Sequence, residues 1–224
     1  MIQLIEITKV YNQGRPNELW ALRGIDLSLE ANRIAVIQGP SGSGKTSLLS
    51  IIGCLSRPTS GRVLLHGKLL SGLPERFLTQ VRRHTFGFIF QQFHLIRGIR
   101  LVENLMLPAY PLGPDYAGLK AKARGLLERF GLAGKEDSPV EWLSGGEQER
   151  AAICRALIND PEILIADEPT ANLDSRLTAE FMGLVADLKA EGKTLILSSH
   201  DPRVAQHQAV DRVIRMGDGL LVED

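Results

Sequence analysis

Cysteine is scarce in this chain of 224 residues. There are two, Cys54 and Cys154, each alone in an apolar helical context. A framework of several disulfides is therefore excluded. Both thiols are expected to be small buried hydrophobes, the alternatives being a disulfide or a reactive thiol. Neither sign of charge is in excess, because Lys+Arg and Asp+Glu stand at 26 each. That balance removes any global attraction to nucleic acid or anionic lipid, though not a local basic patch. No stretch approaches the roughly 18 consecutive apolar residues that a membrane helix needs. The opening Met1-Ile-Gln-Leu-Ile-Glu6 shows no basic region followed by an apolar one, so no secretory signal is expected. These absences lead to the expectation of a cytosolic protein that meets a membrane only through a partner. The length allows one substantial core with a subdomain.

What is present begins with Gly39, Pro40, Ser41, Gly42, Ser43, Gly44, Lys45 and Thr46, which satisfy the phosphate-loop pattern G-x-x-x-x-G-K-[ST]. Glycines at 39, 42 and 44 free the backbone to fold round an anion and turn its N–H groups inward. Lys45 can reach the outer phosphates, and the Thr46 hydroxyl can hold Mg²⁺. An apolar strand pattern, Ile34–Ile37, precedes the loop, and a helical one, Ser47–Ile52, follows it. The loop should therefore present a helix N-terminus to the anion.

Ile25, Leu27 and Leu29 alternate with polar residues, which predicts a half-buried antiparallel strand; Ile2 to Val10 is a weaker candidate. Apolar strand runs recur at 34–37, 63–65, 86–90, 163–166, 194–197 and 213–216. Several are continuous, as expected for parallel strands covered on both faces. Pro58–Gly61 and Gly217-Asp218-Gly219 read as turns. Between Gln91 and Asn159 strand signals vanish and helical patterns replace them, notably at 119–130 and 147–157, in a region interrupted by a Pro/Gly-rich loop at 108–114. This predicts a helical insert in an α/β core. The Phe86, Phe88, Phe90 alternation is expected to be core.

Leu143-Ser144-Gly145-Gly146-Glu147 opens a helix-forming segment, with Arg150 three residues on. Ser144 can simply cap that helix, with the glycines as a flexible turn. Alternatively, a hydroxyl, backbone N–H groups and a helix dipole make a second anion site.

Taken together, the motifs resemble those of an ATP-binding-cassette (ABC) ATPase over the whole chain. Tyr11 occupies the place of the aromatic that stacks on adenine, although an aromatic ending a strand is commonly packing. Gln91, in Phe88-Ile-Phe-Gln-Gln-Phe93, matches the glutamine that joins core to helical subdomain; Gln92 is the competing register. Residues 143–147 are similar to the signature loop and 163–168 to the Walker B strand with its acidic pair. Ala171-Asn-Leu-Asp174 resembles the D-loop, and Ser198-Ser-His-Asp201 carries the switch histidine. More narrowly, residues 20–27, 102–108 and 201–204 are similar to ATPase subunits of lipoprotein-releasing and macrolide-export systems, with the division-associated ATPase a close relative.

The resemblance implies an α/β fold: a P-loop NTPase RecA-like core with an N-terminal antiparallel β-subdomain and an inserted α-helical subdomain. It divides the chain into 1–92, core with the β-subdomain, 93–159, helical and carrying the signature, and 160–224, the rest of the core. Three departures stand out. Thr46-Ser47 reverses the commoner hydroxyl order, Ala31-Asn32 replaces a Pro-Gly turn, and the segment before the signature is one residue longer than usual.

In this reading Glu168 orients and partly deprotonates the attacking water, although a carboxylate there could also cap the next turn. Asp167 ends a buried strand, where a carboxylate wants a partner, and Mg²⁺ would supply one together with Thr46 and Gln91. His200 holds transition-state geometry near the γ-phosphate, and Lys45 assists. Nucleotide contacts are expected from Tyr11, residues 39–47 (Gly39 to Ser47), Gln91, Ser144, Gly145, Gly146, Glu147 and Asp174. His66, His84, His94 and His207 are expected to be surface or satisfied residues. The implied cofactors are ATP and Mg²⁺. The implied partners are a second copy sharing ATP at the interface and a separate membrane permease at the cytoplasmic face of the inner membrane, with no nucleic acid. The leading expectation is an energy-coupling subunit for export or extraction of a lipidic or hydrophobic cargo. A regulatory switch on a non-transporting permease-like protein and a soluble ABC ATPase are the alternatives.

Overall fold

A computed structural model describes residues 1–171 and 173–222. Chain order runs β1 (Ile2–Tyr11), β2 (Leu19–Leu29), β3 (Ile34–Gln38), α1 (Lys45–Ile52), β4 (Ser60–Leu65), β5 (Lys68–Leu69), α2 (Glu75–Thr85), β6 (Phe86–Ile89), α3 (Leu101–Met106), α4 (Tyr116–Arg129) and α5 (Gly145–Leu157). It closes with β7 (Ile163–Asp167), α6 (Ser175–Ala190), β8 (Thr194–Ser199), α7 (Pro202–Ala205), β9 (Arg212–Gly217) and β10 (Leu220–Val222).

The strands form two sheets, a four-stranded one in the order β2-β1-β4-β5 and a six-stranded one in the order β10-β9-β3-β8-β7-β6. The first is antiparallel. In the second, β9, β3, β8, β7 and β6 run parallel and only β10 reverses. The continuous apolar strands still obey a period of two. Ile34, Val36, Leu164, Ala166, Leu195 and Leu197 join the core shared with α3 to α6. Ala35, Ile37, Ile163, Ile165 and Ile196 join the core shared with α1 and the antiparallel sheet. Sheet strands buried on both sides have no polar face to alternate with, which is why the sequence shows unbroken apolar runs.

The expected α/β architecture with an antiparallel sheet is what the chain adopts. Several boundaries move. The turn expected at 58–61 ends earlier, since β4 already begins at Ser60. The helix expected at 119–130 starts at Tyr116, because the Asp115 side chain accepts the Gly118 N–H at 2.7 Å and caps it there. Helix α2 buries only Leu78, so it left no apolar period to read. Asn32 adopts φ 53°, the left-handed turn conformation that its side chain tolerates in place of glycine. Phe86 is core, whereas Phe88 and Phe90 are half-buried and stack on each other at 6.0 Å. Both cysteines are buried, and burial pushes their thiols up to about 11 and about 12.

Candidate functional site: a phosphate loop facing an acidic strand end

The phosphate loop joins β3 to α1. Gly42 and Gly44 take φ of 81° and 101°, and no side chain caps the start of α1. The helix thus offers its first N–H groups to the loop. Gly44 has a second reason to be glycine, because a Cβ there would lie 2.4 Å from the Ala21 carbonyl oxygen. That close approach seats the loop against β2.

Lys45 is only 7% exposed, and its ammonium donates to Gly39 O at 2.8 Å and Pro40 O at 3.1 Å. Glu168, one step past the end of β7, reaches the same ammonium with Oε1 at 3.3 Å. Its Oε2 contacts His200 Nδ1 at 2.8 Å. Glu168 adopts φ 46°, and its N–H donates to Ser198 Oγ at 2.8 Å. The Ser198 hydroxyl in turn donates to Asp167 Oδ1 at 2.6 Å. One hydroxyl from β8 therefore positions both Asp167 and Glu168, and Asp167, expected to find its partner in Mg²⁺, already has a hydrogen-bond partner in Ser198.

A cavity of about 580 Å³ gathers Pro40, Ser41, Gly42, Gly44, Lys45, Thr46, Ser47, Gln91, Glu168 and His200, closed on one side by Tyr11, Leu19 and Trp20. Gln92 does not line it. Gly39 and Ser43 of the loop do not line it, and Ser43 is buried. Tyr11 stands at the rim with its hydroxyl 3.3 Å from Ser47 Oγ. The oxygen donors Thr46 and Gln91 face the cleft beside the Glu168 carboxylate. Such a hard-oxygen set, few in carboxylates, suits Mg²⁺ held largely by phosphates and water. Among the described residues no group of three or more His, Cys, Asp and Glu could hold a metal alone.

Ser144, Gly145, Gly146 and Glu147 lie elsewhere. They border a separate cavity of about 440 Å³ with Arg150, Leu173, Arg176 and Leu177, which shares no lining residue with the first. Ser144 does cap α5: it accepts the Glu147 N–H at 3.4 Å, and Glu147 Oε2 accepts the Ser144 N–H at 2.9 Å. Glu147 also pairs with Lys135, which, with the Ser144 N–H, holds its carboxyl below the usual range. Gly146 is a glycine for packing, since a Cβ would sit 3.0 Å from Leu177 Cδ2 on α6. Asp174 caps α6 by accepting the Leu177 N–H at 2.9 Å. Asn172, of the expected D-loop, lies outside the described residues.

Sequence reasoning missed Leu19, Trp20 and Ser198 as parts of the site. Pairing of Tyr11 with Leu19 and of Val10 with Trp20 brings those apolar side chains to the cleft wall, a register no local pattern discloses. A pair of serines closing a wholly buried strand was the visible signal for Ser198. The remaining histidines stand apart: His66 meets Glu162, and His94 packs edge-on to Phe90.

Comparison with known proteins gives a family model described as ABC transporter, matching residues 22–171. A pyoverdine export ATP-binding/permease protein, PvdT, of Pseudomonas fluorescens is 44% identical over the full chain, which covers 34% of that protein. A macrolide export ATP-binding/permease protein, MacB, of Hyphomonas neptunium is 41% identical, with the same 34% covered. The chain thus spans about a third of the length of these relatives. Among solved structures, the dimeric structure of MJ0796, a bacterial ABC transporter cassette, superposes with a TM-score of 0.90 at 37% identity, covering 100% of this chain and 97% of that one. A post-hydrolysis dimer of MJ0796 bound to ADP and Pi gives 0.91 at 36% identity, with the same coverage.

Proposed function

Because the chain belongs to the ABC transporter family, we propose that two copies bind two MgATP at a mutual interface and hydrolyse them to drive a membrane permease. The observation that carries this reading is the separation of two anion sites. Lys45, Gln91, Glu168 and His200 converge on one cleft, while Ser144 to Gly146 face another that shares no residue with it. Each ATP is then completed by the signature loop of a second copy, an arrangement supported by the dimeric relative at 37% identity.

In this assignment the loop N–H groups and Lys45 hold the triphosphate, and Tyr11 and Trp20 flank the adenine. Glu168, oriented by Ser198 through its own N–H, takes the proton of the attacking water. His200, bonded to Glu168, fixes that carboxylate and faces the γ-phosphate. Thr46, Gln91 and Asp167 would hold Mg²⁺, which neutralises charge developing on the phosphates. Ser144, Gly145, Gly146, Glu147 and Asp174 act on the partner's nucleotide. Closure follows from differential affinity, since ATP touches both loops only in the closed pair.

No helix among the described residues is long and apolar enough to cross a membrane. The permease partner is inferred from relatives that carry ATP-binding and permease parts together. We place the cassette at the cytoplasmic face of the membrane and assign export as the direction, with a hydrophobic or amphipathic cargo. Helices α3 to α5 (within 93–159) would move against the two core parts (1–92 and 160–224) on closure. A groove of about 290 Å³ is lined by Leu55, Arg82, Arg83, Phe88, Phe90 and Arg155, its Phe90 preceding Gln91 in the chain. Its apolar floor and basic rim suit an acidic, amphipathic segment of the permease. The test is phosphate release from MgATP by the purified chain, then cargo efflux after reconstitution with its permease. Absence of turnover with both present would overturn the reading.

A further inference from the structure

Phe93 and His94, directly after Gln91 and Gln92, hold left-handed backbone with φ of 56° and 47°. A bulky aromatic is poorly suited to that region, and two such residues in succession persist only where the surroundings fix them. Here the fixing group is a guanidinium. Arg155, in the last turn of α5, donates from Nη2 to Phe93 O at 2.5 Å and from Nη1 to His94 O at 2.6 Å. The two carbonyls are adjacent, and the planar fork of Arg spans them as a single point charge could not. The segment is braced from within as well: Phe93 N donates to Phe90 O at 2.8 Å, and the His94 ring lies edge-on to Phe90 at 5.2 Å.

Arg155 holds this position at a cost. Burial pulls its pKa down, with no carboxylate among the described residues offsetting it. An Arg in a last helical turn commonly bonds its own helix's free carbonyls. This one reaches instead to the segment that begins at Gln91. The other end of the same helix is capped by Ser144. A helix of 13 residues is a rod of about 20 Å, stiff on this scale.

We propose that Arg155 is a positioning residue for ATP hydrolysis: by pinning the Phe93 and His94 carbonyls it ties the Gln91 segment to the helix headed by Ser144, so that Gln91 of one site and the signature loop serving the other move as one body. The proposal rests on the functional reading above.

The experiment measures steady-state ATPase kinetics, nucleotide affinity and thermal melting of the purified chain for Arg155→Met, Arg155→Lys, Gln91→Ala and the double variant Gln91→Ala/Arg155→Met. Met keeps the apolar stem, and Lys keeps the charge without the fork. Nucleotide Kd and KM should stay within about twofold of wild type, while kcat falls at least tenfold in Arg155→Met and recovers only in part in Arg155→Lys. In the Gln91→Ala background, Arg155→Met should change kcat less than twofold, since the residue acts through Gln91. Wild-type kcat in Arg155→Met, or a full tenfold further loss in the Gln91→Ala background, would overturn the proposal; should Arg155→Met fail to fold, wild-type kcat in Arg155→Lys would do the same. A wild-type chain that turns over no ATP would overturn the functional reading, and this proposal with it.

Discussion

Lys45 Nζ and Glu168 Oε1 lie 3.3 Å apart across the cleft, so the cation assigned to the outer phosphates and the carboxylate assigned to water already share one small volume. Both side chains are largely buried there. A γ-phosphate placed between them meets an attractive group and a repulsive one. Glu168→Gln removes the repulsion and the base together. Turnover should fall by about 10²–10⁴-fold, while an ATP-bound dimer accumulates. Light scattering at saturating MgATP checks this, and a solely monomeric variant would count against the shared site.

Lys45→Ala acts on the same pair from the other side. Its ammonium also ties Gly39 O and Pro40 O, so its loss loosens the loop as well as removing charge. Calorimetry should show nucleotide affinity weakened by tenfold or more. Unchanged affinity would refute the assigned role.

Much of this site was legible because its motifs are local. The phosphate loop, the acidic strand end and the signature each occupy a few consecutive residues, and the apolar runs named five of the six strands of the parallel sheet within a residue or two; the short β10 went unread. What stayed hidden depends on pairing or on through-space contact. Trp20 reaches the cleft only through the β1–β2 register. Ser198 matters because β8 lies beside β7 in the sheet, two strands that α6 separates in the chain. The grip of Arg155 on Phe93 joins residues far apart in sequence, and no periodicity encodes it.

Ser144→Arg separates binding from assembly. Ser144 lies outside the Lys45 cleft, so ATP affinity of a single chain should change less than about threefold. A bulky cation at the signature face should block ATP-dependent dimerisation and hydrolysis. The substitution also removes a helix cap, which costs about 1 kcal/mol, so a modest loss in Tm is expected in parallel. A large fall in the affinity of a single chain would contradict the assignment of Ser144 to the partner's nucleotide.

Tyr11 and Trp20 give the end of the cleft assigned to adenine an optical readout. Of the two tryptophans, Trp20 lines the cavity, whereas Trp142 is 78% exposed beside the signature segment. ATP should change the emission of Trp20 in the monomer, and Trp20→Phe should abolish that response. Tyr11→Ala should weaken ATP binding by about 1–3 kcal/mol, the usual worth of a base–aromatic stack, with Tyr11→Trp retaining affinity. Equal affinity for Tyr11→Ala and wild type would assign Tyr11 to packing.

Glu149 makes stability depend on pH in a direction opposite to that of most carboxylates. It is 3% exposed on α5, and its Oε1 has no hydrogen-bond partner among the described residues. Burial, aided by Glu180 and opposed by Arg150, pushes its pKa up from 4.5 to about 8. The unfolded chain therefore releases this proton near pH 4.5, while the folded chain keeps it until about pH 8. Between those values the folded state binds more protons, so this residue's contribution to stability declines as pH rises. At 1.36 kcal/mol per unit the full effect is of order 4 kcal/mol. Glu149→Gln keeps the shape of the neutral acid and cannot ionise. Its Tm should match wild type near pH 5 and exceed it by about 8–16 °C at pH 8, taking roughly 2–4 °C per kcal/mol for a chain of this size. Other titrating groups are common to both proteins and drop out of the difference. A Tm gap that stays constant from pH 5 to pH 8 would mean that Glu149 ionises normally in the folded chain.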